Sequence, residues 1–393
     1  MFETLSYESL QIYWWFIIAL LGGLLVFLLF VQGGQTLFNR LSDNESEKTV
    51  LVNTIGHKWE FTFTTLVVFG GAFFASFPMF YSTSFGGAYW VWYAILFAFI
   101  LQAVSYEYRK KTNNFLGSQT FERFLMFNGL AAPFLLGVAV STFFTGSPFS
   151  IDKTNIVKLG SNVEAIISQW QSPWHGLEAL WTTSHLAFLQ NILLGLAVLV
   201  LARLNSLLYV RKMVANQNIQ NKVNKCVKKH SLLFLGLFLT WLIRLLFIEG
   251  FSVNPFNREI FMQAHKYGLN LIDNPALLIF LLLGLGLVLY GLFLANFKKA
   301  EKAFWFTGAG TVITVMALFF LAAFNYTAYY PSTYDLQSSL TLANSSSSRF
   351  TLIVMSYVSL MVPFVLAYII WAWRAMDARK ISEKELEQEI DKY

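Results

Sequence analysis

The residue in this sequence best placed to do chemistry is Glu60, in the run His57-Lys58-Trp59-Glu60 at the mouth of a long apolar stretch. A partly desolvated carboxyl has a raised pKa and exchanges protons near neutrality, so Glu60 could serve as a proton-uptake group. The plain alternative is an interfacial acid paired with Lys58 or His57. Arg244 lies deep in another apolar run, with Glu249 five residues on. Residues five apart do not face each other on a helix, so a partner on another helix is expected, Glu178 being one candidate. The functional alternative for Arg244 is contact with an anion. Arg203 sits near the end of an apolar run, where its long side chain can reach back to water. Glu107, in Tyr106-Glu107-Tyr108-Arg109, reads as a helix-end charge.

Redox chemistry has little to work with. Haem needs axial ligands at depth, usually His or Met. His57, His175, His230 and His265 fall at or beyond the ends of the apolar runs, and His185 at the edge of one. Met355 and Met361 lie within an apolar helix as core filling. The single cysteine, Cys226, excludes an intrachain disulfide and a Cys-ligated cluster. No phosphate-binding loop, nucleophile elbow or HExxH zinc motif is found. The chain is expected to ligate neither metal nor haem.

Hydropathy shows the elements that must hold these residues. Of the 393 residues 56% are hydrophobic and 13% charged, against about a quarter charged in soluble domains. No soluble fold of this length hides so much apolar surface. Only helix bundles and closed barrels satisfy their backbone in hydrocarbon, and long apolar runs favour helices over a barrel. Runs of about 20 apolar residues predict nine spans: Leu10–Val31, Trp59–Tyr81, Ala88–Ser105, Phe121–Phe144, Leu186–Tyr209, Ser231–Ile248, Pro275–Phe297, Ala303–Asn325 and Thr351–Trp373. The first is read as a retained helix, since no basic residue precedes it. Gly70, Gly71, Gly308 and Gly310 suit close helix packing.

Charge then orients the bundle. Of 28 Lys and Arg, 21 fall in alternate loops and the C-tail (counting Arg123, at the very start of the fourth run, with its loop), five in the remaining loops, and Arg203 and Arg244 within spans. Basic residues mark cytoplasmic loops, so the N-terminus is expected outside and the C-terminus in the cytoplasm. Basic residues spread between spans also exclude a nucleic-acid surface. The expected organisation is all-α: one polytopic transmembrane domain over 1–380 and a charged cytoplasmic C-tail over 381–393. Outside, the loops Thr145–His185 and Gly250–Asn274 are long, and Gly176–Ser184 suits an interfacial helix.

Several stretches, in order along nearly the whole chain, resemble subunit II of the bacterial cytochrome bd-type quinol oxidases. Asn53-Thr54-Ile55-Gly56-His57-Lys58-Trp59-Glu60 is similar to that family's N-(S/T)-I-x-x-x-W-(D/E). Gly70-Gly71-Ala72-Phe73-Phe74-Ala75 and Phe77-Pro78-Met79-Phe80-Tyr81 follow it as in the family. Tyr106-Glu107-Tyr108-Arg109 resembles (F/Y)-(D/E)-(F/Y)-R. Ser339-Leu340-Thr341-Leu342-Ala343-Asn344 and Thr351-Leu352-Ile353-Val354-Met355 stand where the family has S-L-T and T-L-x-V-M.

The resemblance implies a haem-free subunit of a quinol:O2 oxidoreductase in the bacterial inner membrane. It would stabilise a subunit I that carries haem b and haem d and oxidises quinol, and would assist cytoplasmic proton delivery. A small single-span accessory subunit, lipid and quinone are further expected partners, and Arg244 gains a quinone contact as a reading. The sequence departs from the family where an acidic D-G-x-D becomes Gln32-Gly33-Gly34-Gln35, and where Gln102 replaces a common Arg. Amides relay protons less readily than carboxylates, and only Glu60 keeps the family's acid. Glu60, together with Gln32 and Gln35 at the family's acidic positions, makes up the candidates for a proton path, and Trp59, Glu107, Glu178, Arg203 and Arg244 are the supporting polar residues. A proton-coupled secondary transporter and a purely scaffolding subunit are the alternatives.

Overall fold

The computed structural model describes residues 1–111, 114–152, 168–378 and 380–381. Most of the expected C-tail, 382–393, therefore lies outside the described residues. Among those described, nine helices are long and apolar enough to cross a membrane: Tyr7–Gln35, Glu45–Ser76, Tyr89–Tyr108, Ser118–Thr145, Ala187–Met213, Gln217–Phe247, Pro275–Lys298, Ala303–Ala323 and Arg349–Met376. They are called spans 1 to 9 below.

The number of spans agrees with the hydropathy reading, but two of them start earlier. Span 2 opens with a helical segment, Glu45–Gly56, set off from its apolar part by a break at His57 and Lys58. Span 6 begins at Gln217, and Lys222, Lys225, Lys228 and Lys229 ride on its extension with the buried Cys226. Both extensions are mixed in polarity, and hydropathy detects only the stretch that hydrocarbon would cover.

Span 5 packs against spans 1, 4, 6 and 8, span 1 also against spans 2, 4 and 8, and span 7 against span 8. The most apolar stretch of spans 5 and 8 is 67% buried, whereas that of span 9 is only 11% buried, which puts 5 and 8 at the centre and 9 at the rim. Close approach depends on missing side chains. A Cβ at Gly33 would lie 2.2 Å from the Ala202 backbone, and one at Gly137 would lie 2.7 Å from Gly195 Cα. Gly310 has the packing role expected of it, against Val288, but Gly71 has nothing within 4 Å.

One end of the bundle carries the basic connections. The other carries two short antiparallel ladders that the helical pattern does not predict: β1 (Phe149–Ile151) with β2 (Ser168–Trp170), and β3 (Gly250–Val253) with β4 (Ile260–Gln263). Phe251, Val253, Ile260 and Ala328 make a small separate core beneath the second. Strands this short leave no readable alternation. In place of the expected interfacial helix there is a single 3-10 turn, Leu177–Leu180.

Span 9 is held at its foot. Lys58 Nζ is fully buried and lies 3.1 Å from Asp377 Oδ1, and Lys212 Nζ lies 2.6 Å from Oδ2. The Tyr209 hydroxyl and the Trp373 indole N–H donate to the same carboxylate, each at 2.9 Å. The Lys58 ammonium also sits 4.7 Å from the Trp373 ring centroid, a favourable cation–π geometry. Burial pushes the Asp377 carboxyl up, but the Lys212 hydrogen bond and the Lys58 charge more than offset it and hold it below the usual carboxylate range. Removing one member of a buried pair costs about 3–5 kcal/mol. Asp377→Asn should therefore lower the thermal midpoint in detergent at neutral pH and expose the end of span 9 to protease. The depressed carboxyl supplies stability above its unfolded pKa that is lost as pH falls through the folded one, so the gap between wild type and variant should close in strong acid. Equal midpoints at pH 7 would refute the clamp.

Candidate functional site

At the basic end, Arg109 is 3% exposed and aims Nη2 and Nε at Glu122 Oε1, at 2.7 and 3.1 Å. Lys48 holds the other oxygen of Glu122 at 3.2 Å and Glu45 at 2.7 Å. Glu122 borders a cavity of about 290 Å³ whose wall also carries Gln35, Thr36, Asn39 and Arg40. Gln35 continues the polar line inward.

Gln32 and Gln35 are three residues apart in the segment Phe30–Gln35 that follows a break at Leu29, so both face one side. Gln35 Nε2 donates to the Tyr106 hydroxyl at 3.2 Å, and Gln32 Nε2 donates to Gln102 Oε1 at 3.1 Å. Trp59 lies over Tyr106, with ring centroids 6.2 Å apart and planes within 17°. Gly129, on span 4, would strike the Gln32 carbonyl if it had a Cβ, at 2.4 Å. Asn128, its neighbour in sequence, is fully buried. The result is a file of amides between spans 1 and 3, with span 4 packed close on it through Gly129 and carrying the buried Asn128, and led into by a cavity at the basic end.

The file is polar beyond what its own bonds satisfy. Gln32 Oε1, Gln35 Oε1, Gln102 Nε2 and both polar atoms of Asn128 are buried without a hydrogen-bond partner among the described residues. Each such atom costs about 1–3 kcal/mol, and buried water making a few hydrogen bonds is the usual remedy. Amides do not give up protons, but they can orient water that does.

The sequence candidates divide between this file and other places. Gln32, Gln35 and Trp59 meet in it. Glu60 does not: it is exposed on the outer face of span 2, without hydrogen bond or ion pair among the described residues. The expected Lys58–Glu60 pairing is thus corrected. Residues two apart on a helix point about 200° apart, and Lys58 turns inward to Asp377. Glu107 is an exposed helix-end charge, 3.1 Å from Lys111. Arg203 is half-buried with Nε unpartnered.

The pairing of Arg244 with Glu178 is also corrected. Arg244 Nε donates to Gln190 Oε1 at 3.2 Å. Glu178 turns back to accept the Gly176 N–H at 2.8 Å, at a residue with φ of 99° that favours glycine. Burial raises the Glu178 carboxyl, and these local hydrogen bonds only partly offset it. Among the described residues no group of three or more His, Cys, Asp or Glu could hold a metal.

Asp377 and the Arg109–Glu122 pair carry roles that the sequence did not reveal, because their partners lie on other helices. Asn128 did offer a signal, as an amide inside an apolar run.

A family model for cytochrome bd terminal oxidase subunit II matches residues 10–376. Cytochrome bd-I ubiquinol oxidase subunit 2 of Escherichia coli (strain K12) is 25% identical over 386 residues, covering 98% of each chain. Cytochrome bd ubiquinol oxidase subunit 2 of Bacillus subtilis (strain 168) is 27% identical over 384 residues, covering 96% of this chain and 98% of that one. The fold is similar to a chain of the bd oxidase from Geobacillus thermodenitrificans, with a TM-score of 0.53 and 11% identity, over 93% of this chain and 98% of that one.

The amide file can be tested by a double-mutant cycle. Gln102→Leu alone leaves the Gln32 side chain unpaired and should cost about 1–3 kcal/mol, whereas removing both partners is closer to neutral. Thermal midpoints of the two single variants and of Gln32→Leu/Gln102→Leu should show the double change to be milder than the sum. Strict additivity would mean that the two amides are not coupled.

Proposed function

The chain belongs to the cytochrome bd terminal oxidase subunit II family, and from that premise we propose that it is the haem-free subunit of a quinol:O2 oxidoreductase complex. In this reading it sits in the bacterial cytoplasmic membrane with its N-terminus outside and its C-tail inside, stabilises a haem-bearing subunit I, and assists proton delivery to O2 reduction. Haem b and haem d would belong to that partner, and quinol would be the substrate of the complex. A small single-span subunit could join the same assembly. Membership of a terminal oxidase family displaces the transporter reading.

The observation that carries the proton role is the unsatisfied amide file reached from the basic end. If basic residues face the cytoplasm, that cavity opens on the side from which protons are drawn. Support for the partner comes from the outer face of span 2. Glu60, Thr64, Val67, Val68, Gly71 and Phe74 are exposed along it at helical spacing. A carboxylate turned toward hydrocarbon costs about 2.5–3.5 kcal/mol, and a bare glycine invites close helix contact. Span 9, scarcely buried, widens the same open side. A subunit I seated there would cover Glu60 and could share its proton.

The scaffold alternative draws on a specific observation too. The file holds amides where the family has acids, and Glu60 lies outside it. Glu60→Gln separates the two readings. If Glu60 passes protons to the partner, O2 uptake with saturating quinol should fall while haem content and assembly stay normal, and Glu60→Asp should retain part of the rate. Full turnover in Glu60→Gln would leave only the scaffold. Orientation is tested independently: a C-terminal alkaline phosphatase fusion should be inactive and a fluorescent-protein fusion bright, and the reverse pattern would overturn the assignment of the basic end to the cytoplasm.

A further inference from the structure

At the hairpin end of the bundle, spans 5 and 6 border a cavity of about 310 Å³ whose polar wall carries Arg244, Glu249, Gln190, Ser184 and Thr145. Gln190 is 1% exposed and is fixed from behind, its amide donating to the Trp241 carbonyl at 3.1 Å. Its oxygen accepts from Arg244 Nε at 3.2 Å. That bond orients the guanidinium but does not neutralise it, and Arg244 makes no ion pair among the described residues. Glu249 makes none either. The two cannot easily pair with each other: span 6 ends at Phe247, Ile248 is extended, and five residues separate the charges. One cavity therefore presents a half-buried cation and an exposed anion, neither in an ion pair among the described residues.

Two charges of opposite sign that are not paired with each other each attract a counter-charge, so the ligand that suits this wall carries both signs. Its anionic end would match the fork of an arginine, which favours phosphate oxygens. Its cationic end would meet a carboxylate. The surface of span 6 leading to the cavity is apolar and open, with Leu239 45%, Ile243 56% and Phe247 67% exposed. A ligand with a polar head and hydrocarbon chains would fit both parts. We propose that this cavity is a binding site for a zwitterionic aminophospholipid headgroup, its phosphate on Arg244, its primary ammonium on Glu249, and its acyl chains along Leu239, Ile243 and Phe247. The site is separate from the amide file at the basic end and does not depend on the proton role.

The complex containing this chain, purified in mild detergent and exchanged into equal amounts of phosphatidylethanolamine, phosphatidylglycerol and phosphatidylcholine, can be examined by native mass spectrometry. The wild type should hold phosphatidylethanolamine preferentially. Arg244→Gln should lower its retention by about tenfold, the scale of one lost charge-assisted hydrogen bond, and Arg244→Lys, which keeps the charge, should retain more than the Gln variant. Glu249→Gln should keep lipid but lose the preference for ethanolamine over glycerol, because only the ammonium partner is gone. Size-exclusion elution of each variant with its partner controls for folding. The proposal is overturned if the wild type shows no ethanolamine preference, if Arg244→Gln retains lipid as the wild type does, or if excess inorganic phosphate displaces the lipid, which would mark a site for a free anion.

Discussion

Hydrocarbon offers no water to a polar group, and each polar side chain that this chain carries inward has to find its own compensation. At the foot of span 9, two lysines converge on Asp377 under a roof of aromatic rings. At the basic end, Arg109 and Lys48 share Glu122. In both clusters a carboxylate from one span joins cations from others, so the same bonds that hide charge also fix how the helices meet. Glycines supply the opposite kind of contact, where backbone lies directly on backbone, as at Gly33 on Ala202. Paired charge at the ends and bare backbone in the middle together set the order of the spans.

The amide file departs from that rule. Its hydrogen bonds are real but incomplete, and the Asn128 side chain has none among the described residues. An apolar substitution pattern would have packed this region dry. A line of half-satisfied amides between a cavity and the bundle interior is instead suited to holding water in a defined orientation. Carboxylates in these places would add titration to orientation, and their replacement at Gln32 and Gln35 leaves the second without the first. Any proton that uses this route has to be carried by water, with Tyr106 and Glu122 as the ionisable groups beside it.

Much of this architecture was legible in the sequence. Length and hydropathy of the apolar runs gave the spans, because hydrocarbon thickness imposes both. What was not legible depended on contacts between distant spans. Lys58 and Asp377 are 319 positions apart, and nothing local to either names the other. For the same reason Glu60 was grouped with its sequence neighbour Lys58, although the helix sends them to opposite sides. Glu178 is one candidate partner for Arg244 on the sequence, but beside a left-handed glycine it accepts the Gly176 N–H through one oxygen instead. The resemblance groups Gln32 and Gln35 with Glu60, and Trp59 with the supporting residues; in the fold Gln32, Gln35 and Trp59 lie along one file and Glu60 lies outside it.

The narrow foothold of span 9 bears on how the molecule is made. It follows the other eight described spans in the chain, and although Trp373 meets rings of the central spans and Trp14 donates to it, spans 1, 5 and 8 pack on one another without it. The core can therefore close before span 9 arrives, which then docks by its two ends and leaves most of its length facing lipid. An orphan copy would display this helix to membrane quality control, while a copy with its partner seated on the open side would conceal it. A weakly seated helix that arrives after the core thus becomes a timer, marking the interval between its emergence and its capture by a partner.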